Sequence, residues 1–183
     1  MFSAFRSDAV GLAAELAYRR VVDQARRPAF FAEYGVPDTL DGRFEMICLH
    51  AFLYLHRLKT EGARGGPLGQ RFFDTMFADF DRSLREMGTG DLSVGREVRR
   101  MAEAFYGRIA AYERGLAAAD GALQSALVRN LFGTAAPLAD GPAAMAEYVR
   151  REAARLERQP AAKLLAGEVC FGPPPSSSRA GEP

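Results

Sequence analysis

Apolar residues recur at intervals of three and four along most of the chain, interrupted by Gly, Pro and short polar runs rather than by the alternation of half-buried strands. The pattern predicts an all-α protein, a single compact domain of about six to seven helices. The first helix is expected to be capped by Ser7 or Asp8, to carry Val10, Ala13, Leu16, Ala17, Val21 and Ala25 on one side, and to stop at Pro28. Phe30, Phe31 and Tyr34 form an aromatic connector. Asp38, with Asp41 three residues on, reads as the cap of a second helix reaching about Lys59, its carboxylates at the positive end of the dipole. A flexible loop over 62–67 leads to a third helix, Leu68 to Met87, expected to bury Phe73, Met76, Phe77, Phe80 and Leu84 and to end at Gly88 and Gly90. Ser93 is the expected cap of a long fourth helix with an unbroken stripe of Val94, Val98, Met101, Phe105, Ile109, Tyr112 and Leu116. Shorter helices follow over Asp120–Leu131, Pro142–Arg158 and Pro160–Ala166, the last two opening on prolines where a helix tolerates them. The helical domain is thus expected over residues 7–169, with 170–183 a tail disordered by composition.

With 183 residues and 48% hydrophobic composition, the chain can bury one core of globular size. The formal net charge of +1 gives no overall field to draw it onto DNA or an anionic membrane, so charge-based contacts must be local. Cys48 and Cys170 are too few and too far apart for a disulfide framework or a thiolate metal site. The longest apolar run, about Met46 to Leu55, falls short of the ~20 residues that span a bilayer. The opening MFSAFRSDAVGLAAELAYRR lacks the apolar core and cleavage site of a secretory signal, which makes a cytoplasmic location the expectation.

Candidate chemistry is sparse. His50 and His56 share one apolar stretch, but helical residues six apart are turned by about 600 degrees, leaving the rings roughly 120 degrees apart around the axis. They cannot converge on one ion, so a two-histidine metal site is rejected. Structural or solvated histidines, or a lone axial haem ligand from either, remain open. Gly88-Thr89-Gly90 faintly echoes a phosphate-binding loop, but it follows a helix and lacks a Gly-Lys-Ser/Thr ending. Acidic and basic residues of the third helix have i,i+4 spacing, Asp81 with Arg85 and Arg82 with Glu86, as on a solvated face. No GxSxG marks a nucleophile. The expectation is a non-enzyme without cofactor or metal.

Three stretches carry a family resemblance: RRPAFFAEYGVPDTLDGRFEMICLHAFL, then FDTMFADFDRSLREMGTGDLSVGREVRRMAEAFYGR, then ALVRNLFG. In this order they resemble the ubiquinol-cytochrome c chaperone family, and with their connections they cover the chain from about Tyr18 to Phe132. The resemblance implies an all-α domain shared by alphaproteobacterial proteins and a mitochondrial factor that helps assemble the cytochrome bc complex of the respiratory chain. It further implies cytochrome b or other subunits of that complex as partners. In mitochondria it also implies a small partner protein near the ribosomal exit tunnel. Contact with the membrane would be peripheral, through the client. The rival reading is a helical haem- or quinone-binding carrier or enzyme, motivated by the histidines and the aromatic-rich helices.

One surface invites a partner. Opposite the stripe of the fourth helix stand Arg96, Arg99, Arg100, Glu103 and Arg114, with Gly107 among them. A glycine inside a helix costs ~1 kcal/mol relative to alanine. With Ala104 and Ala111 on either side, Gly107 is expected to form a small-residue notch, rimmed by guanidinium groups, that lets a second helix approach. The alternative is a plain solvated basic face.

Overall fold

The computed structural model describes residues 2–118, 120–133, 137–138 and 140–174. Among them every regular element is helical: α1 (Phe2–Ala25), α2 (Ala29–Ala32), α3 (Leu40–Lys59), α4 (Gly65–Glu86), α5 (Asp91–Ala117), α6 (Ala122–Leu127) running into a π-helical turn (Val128–Phe132), α7 (Gly141–Glu157) and α8 (Ala161–Leu165). The aromatic connector thus contains the single turn α2, with Phe30 and Tyr34 buried beneath it.

A helix that is apolar on every side has no face to offer water and must lie inside. This describes α3, in which every residue from Glu45 to Tyr54 is buried. Helices α1, α4, α5 and α7 and the π-helical turn all pack on it. Its start is fixed by Thr39 rather than by the expected Asp38. The extended backbone of Thr39 lets its hydroxyl accept the Gly42 N–H at 3.1 Å, whereas Asp38 turns to Arg43 at 2.7 Å. The chain doubles back so tightly here that a Cβ on Gly42 would lie 1.9 Å from the Pro37 carbonyl oxygen.

Other ends also differ from expectation. Helix α1 already runs from Phe2, so Ser7 and Asp8 lie inside it rather than at its start. Helix α4 begins at Gly65, taking the last part of the expected loop into its first turn. Helix α5 is entered through Gly90, with extended backbone and no side-chain cap, and Ser93 sits within the helix. The core face of α4 includes Leu68 and Phe72, which meets Tyr18 of α1 and Tyr54 of α3, while Phe73 is half-buried and stacks on Tyr106 of α5. Two neighbouring phenylalanines thereby serve three different helices. Leu84, expected in the core, is only half-buried. Along α5 the stripe has the expected phase: Val94, Phe105 and Tyr112 are fully buried and Val98, Met101, Ile109 and Leu116 half-buried. Where α5 meets α6, a Cβ on Gly115 would lie 2.6 Å from the Leu123 Cα, so only glycine permits this approach.

The beginning of the expected tail is ordered against the core. Gln159 donates to the Cys170 carbonyl at 2.5 Å and accepts its N–H at 3.1 Å. Gly172 donates its N–H to the fully buried Glu152 at 2.7 Å, and its carbonyl accepts from Gln24 at 2.7 Å. Residues 170–174 therefore belong to the packed domain because buried polar groups need them as partners. The remainder of the expected tail, 175–183, lies outside the described residues.

Phe105 packs against Phe73 and Phe77 with no exposure. Its replacement by Ala is expected to destabilise the fold by ~3–5 kcal/mol through the cavity left behind. Urea unfolding followed by circular dichroism measures this, and an unchanged midpoint would contradict the packing described.

Candidate functional site

The two histidines have separate surroundings. His50 is fully buried: Nδ1 donates to the Met46 carbonyl at 2.8 Å, Nε2 accepts from the Tyr148 hydroxyl at 2.8 Å, and Gln24 donates in turn to Tyr148 at 2.8 Å. The rings of Phe30 and Phe171 meet it edge-on at 5.5 and 5.2 Å. Burial lowers its pKa from 6.5 to about 4, the bond to Met46 opposing the shift. It is thus a neutral core histidine with both nitrogens engaged, and no haem iron could bind without breaking one of these bonds. His56 lies at the surface against Phe52, 3.5 Å from the Glu113 carboxylate that also holds Lys59. Among the described residues there is no group of three or more side chains placed to hold a metal ion. Cys48 is buried, Cys170 exposed, and both are free thiols.

A pronounced concavity lies elsewhere. A groove of about 910 Å³ opens between the first turns of α3, the C-terminal half of α4, the N-terminal half of α5 and the π-helical turn. Phe44, Phe80, Leu84, Met101 and Phe132 give it apolar walls, and Leu40 and Met87, 61% and 51% exposed, stand along it. The Phe44 and Phe80 rings meet edge to face at 5.1 Å. Among these apolar groups lies a part-buried ion pair. Arg108 donates through Nε to Glu45 at 2.6 Å and through a second nitrogen to the other carboxylate oxygen, and its guanidinium lies 5.7 Å over the Phe44 ring. Burial pushes the Glu45 carboxyl above its usual range, and Arg108 offsets only part of that shift. The bidentate geometry ties α3 to α5, and removing either partner would strand a buried charge.

Sequence reasoning missed Glu45, Arg108 and the groove itself. The available signal was a charged residue within each apolar run, Glu45 between Phe44 and Met46 and Arg108 beside Ile109. Their pairing across 63 positions could not be read from local spacing. Yet every residue lining the groove falls within one of the three stretches singled out in the sequence: Arg26 to Ile47, Asp79 to Arg108, and Arg129 to Gly133. A second, shallower groove of about 410 Å³, between the 62–70 segment and Tyr106, is lined mostly from outside them.

On the outer face of α5, Arg96, Arg99, Arg100, Glu103, Gly107 and Arg114 are all exposed. Arg100 pairs with Glu97 at 2.9 Å and lines the groove. The expected notch is shaped differently, because Ala111 is buried and Ala104 is half-buried on the groove side. A Cβ on Gly107 would meet nothing within 4 Å, so no contact with the described residues requires glycine there. On α4, Arg85 pairs with Asp81 at 2.6 Å as the spacing predicts, while Arg82 reaches back to Asp79.

Residues 32–171 match the family described as ubiquinol-cytochrome C chaperone. The chain is 30% identical over 165 residues to ubiquinol-cytochrome-c reductase complex assembly factor 1 of Xenopus laevis, covering 90% of this chain and 82% of the relative. Against the Homo sapiens protein of the same name the identity is 28% over 165 residues, with 90% of this chain but only 55% of the relative covered. The chain thus spans about half the human relative's length. The crystal structure of the Cbp3 homolog from Brucella abortus superposes with a TM-score of 0.81 at 35% identity, covering 94% of this chain and 96% of that one.

The buried His50 makes stability depend on pH with a definite sign. Its folded pKa, about 4, lies below the ordinary 6.5, so as pH falls through this window the unfolded chain takes up the proton first. Stability is complete above pH 6.5 and declines toward pH 4, by about 3 kcal/mol at about 1.36 kcal/mol per pH unit. His50→Gln is expected to be less stable at neutral pH and to lack this part of the acid loss. Denaturant midpoints of both proteins across pH 4–7 measure it; parallel curves would contradict the assignment.

Proposed function

Because the chain belongs to the ubiquinol-cytochrome c chaperone family, we propose that it is a non-enzymatic assembly factor for ubiquinol-cytochrome c reductase that holds newly made cytochrome b at the cytoplasmic face of the inner membrane. The proteins it resembles are named as assembly factors of that complex. The observation that carries the reading further is the convergence of the three family-like stretches on one groove. A membrane-protein client exposes apolar helices before it is assembled, and these need reversible cover rather than chemistry. Phe44, Phe80, Leu84 and Met101 offer such cover, and methionine adapts to varied partners. No helix among the described residues is long and apolar enough to cross a membrane; on this reading the membrane is met through the client.

The exposed face of Arg96, Arg99, Arg100, Glu103, Gly107 and Arg114 flanks the groove and is proposed as the docking surface of a second, small partner protein. Its guanidinium groups favour carboxylates, and the open space over Gly107 admits a helix. His50 could serve as a haem ligand only by giving up one of its two hydrogen bonds.

Deleting the gene is expected to lower membrane-bound cytochrome b selectively among the respiratory complexes. Restoring the wild-type gene should recover it, whereas Met101→Glu, which places a charge on the groove wall, should not. A cytochrome bc complex unchanged by the deletion would sink the proposal. Gly107→Leu is expected to fold as wild type by circular dichroism yet lose the partner in a pull-down; full recovery of the partner would remove the α5 face from consideration.

A further inference from the structure

The groove also constrains what it can hold. We infer that its occupant is a helix of the client, apolar on the side it buries, that carries a carboxylate met by Arg26 and Arg129; this rests on reading the groove as the client site.

Three observations lead there. Apart from Arg26, Pro37, Thr39, Met87 and Gly133, the lining residues lie in helices, whose backbone groups bond largely within their own elements. An extended segment laid in the groove would therefore bury N–H and C=O groups with little to pair with, whereas a helix satisfies its own backbone. The size also fits. The groove, about 910 Å³, is large enough to take a stretch of a helix about 10 Å across, on the order of two turns.

The third observation is charge. Of the five arginines along the groove, Arg43 pairs with Asp38, Arg100 with Glu97 and Arg108 with Glu45. Arg26 and Arg129 are exposed and make no ion pair among the described residues. On the acidic side Asp79 is held by Arg82 and Tyr18, leaving Asp41 as the one lining carboxylate without an ion pair among the described residues. Uncompensated guanidinium groups thus outnumber carboxylates two to one beside an apolar wall. A carboxylate on the bound helix would meet them in charge-assisted hydrogen bonds, and a cation there would be repelled.

The test uses the full chain and a fluorescein-labelled Leu/Ala helical peptide of about 16 residues, long enough to exceed the groove at 1.5 Å per residue. One version carries a single Glu and the other a Lys in its place. Fluorescence anisotropy is expected to show the Glu peptide binding roughly tenfold more tightly. In the double variant Arg26→Glu/Arg129→Glu the order should reverse, and the gain for the Lys peptide could not arise from misfolding. Equal affinities in wild type, or an unchanged preference in the double variant, would overturn the inference. So would displacement of the Glu peptide by phosphatidylglycerol vesicles but not by phosphatidylcholine vesicles, which would assign the guanidinium groups to an acidic lipid. Wild-type protein that restores cytochrome b in the deletion strain while the peptides fail leaves the chaperone reading standing and removes only the charge rule. Wild-type protein that restores nothing removes both.

Discussion

The structure depends on hiding one helix completely. Ten consecutive residues of α3, Glu45 to Tyr54, are shielded on every side, so no single neighbour could suffice and α1, α4, α5 and α7 are all required. Such burial drives association without specifying it, because apolar contacts alone tolerate sliding and rotation. The polar residues along α3 supply the specification. Glu45 reaches Arg108 on α5, His50 reaches Tyr148 on α7, Tyr54 donates to the Leu164 carbonyl at 2.9 Å on α8, and Arg57 donates to the Leu156 carbonyl at 3.1 Å near the end of α7. Each of these groups would be expensive to bury unpaired, so together they fix the positions of α5, α7 and α8.

The same logic separates what was legible in the sequence from what was not. Three-four periodicity located the long helices and the phase of α5, since it records which side each helix turns to the core. Caps were read poorly because several residues near each start could accept the same N–H, and backbone geometry chooses among them: Thr39 over Asp38, and bare Gly90 over Ser93. Phe72 and Phe73 could not be ranked from one helix alone, because both are buried to some degree by different neighbours. The angular argument did separate His50 from His56, but that one would sit in a buried chain of hydrogen bonds needed knowledge of Gln24 and Tyr148, which lie 124 positions apart.

The groove illustrates the limit most clearly. Its walls come from three distant stretches, and nothing local in any of them announces a concavity. What brings them together is the demand of α3 for cover: its first turns project past the close-packed centre, and α4, α5 and the π-helical turn approach them without closing. The site is therefore a by-product of the same packing that stabilises the fold, which is why an ion pair as deep as Glu45–Arg108 stands beside surfaces open to a ligand.

The bonds made by Gly172 also bear on how the protein comes into being. Gln24 is made well before Glu152, yet both require partners on a glycine made later still. During synthesis the helices can form and begin to pack, but the polar interior around His50 stays incomplete until residue 172 is clear of the exit tunnel. Reaching the finished shape thus waits on the 170–172 segment, and the domain passes through an interval in which its buried polar groups lack their partners.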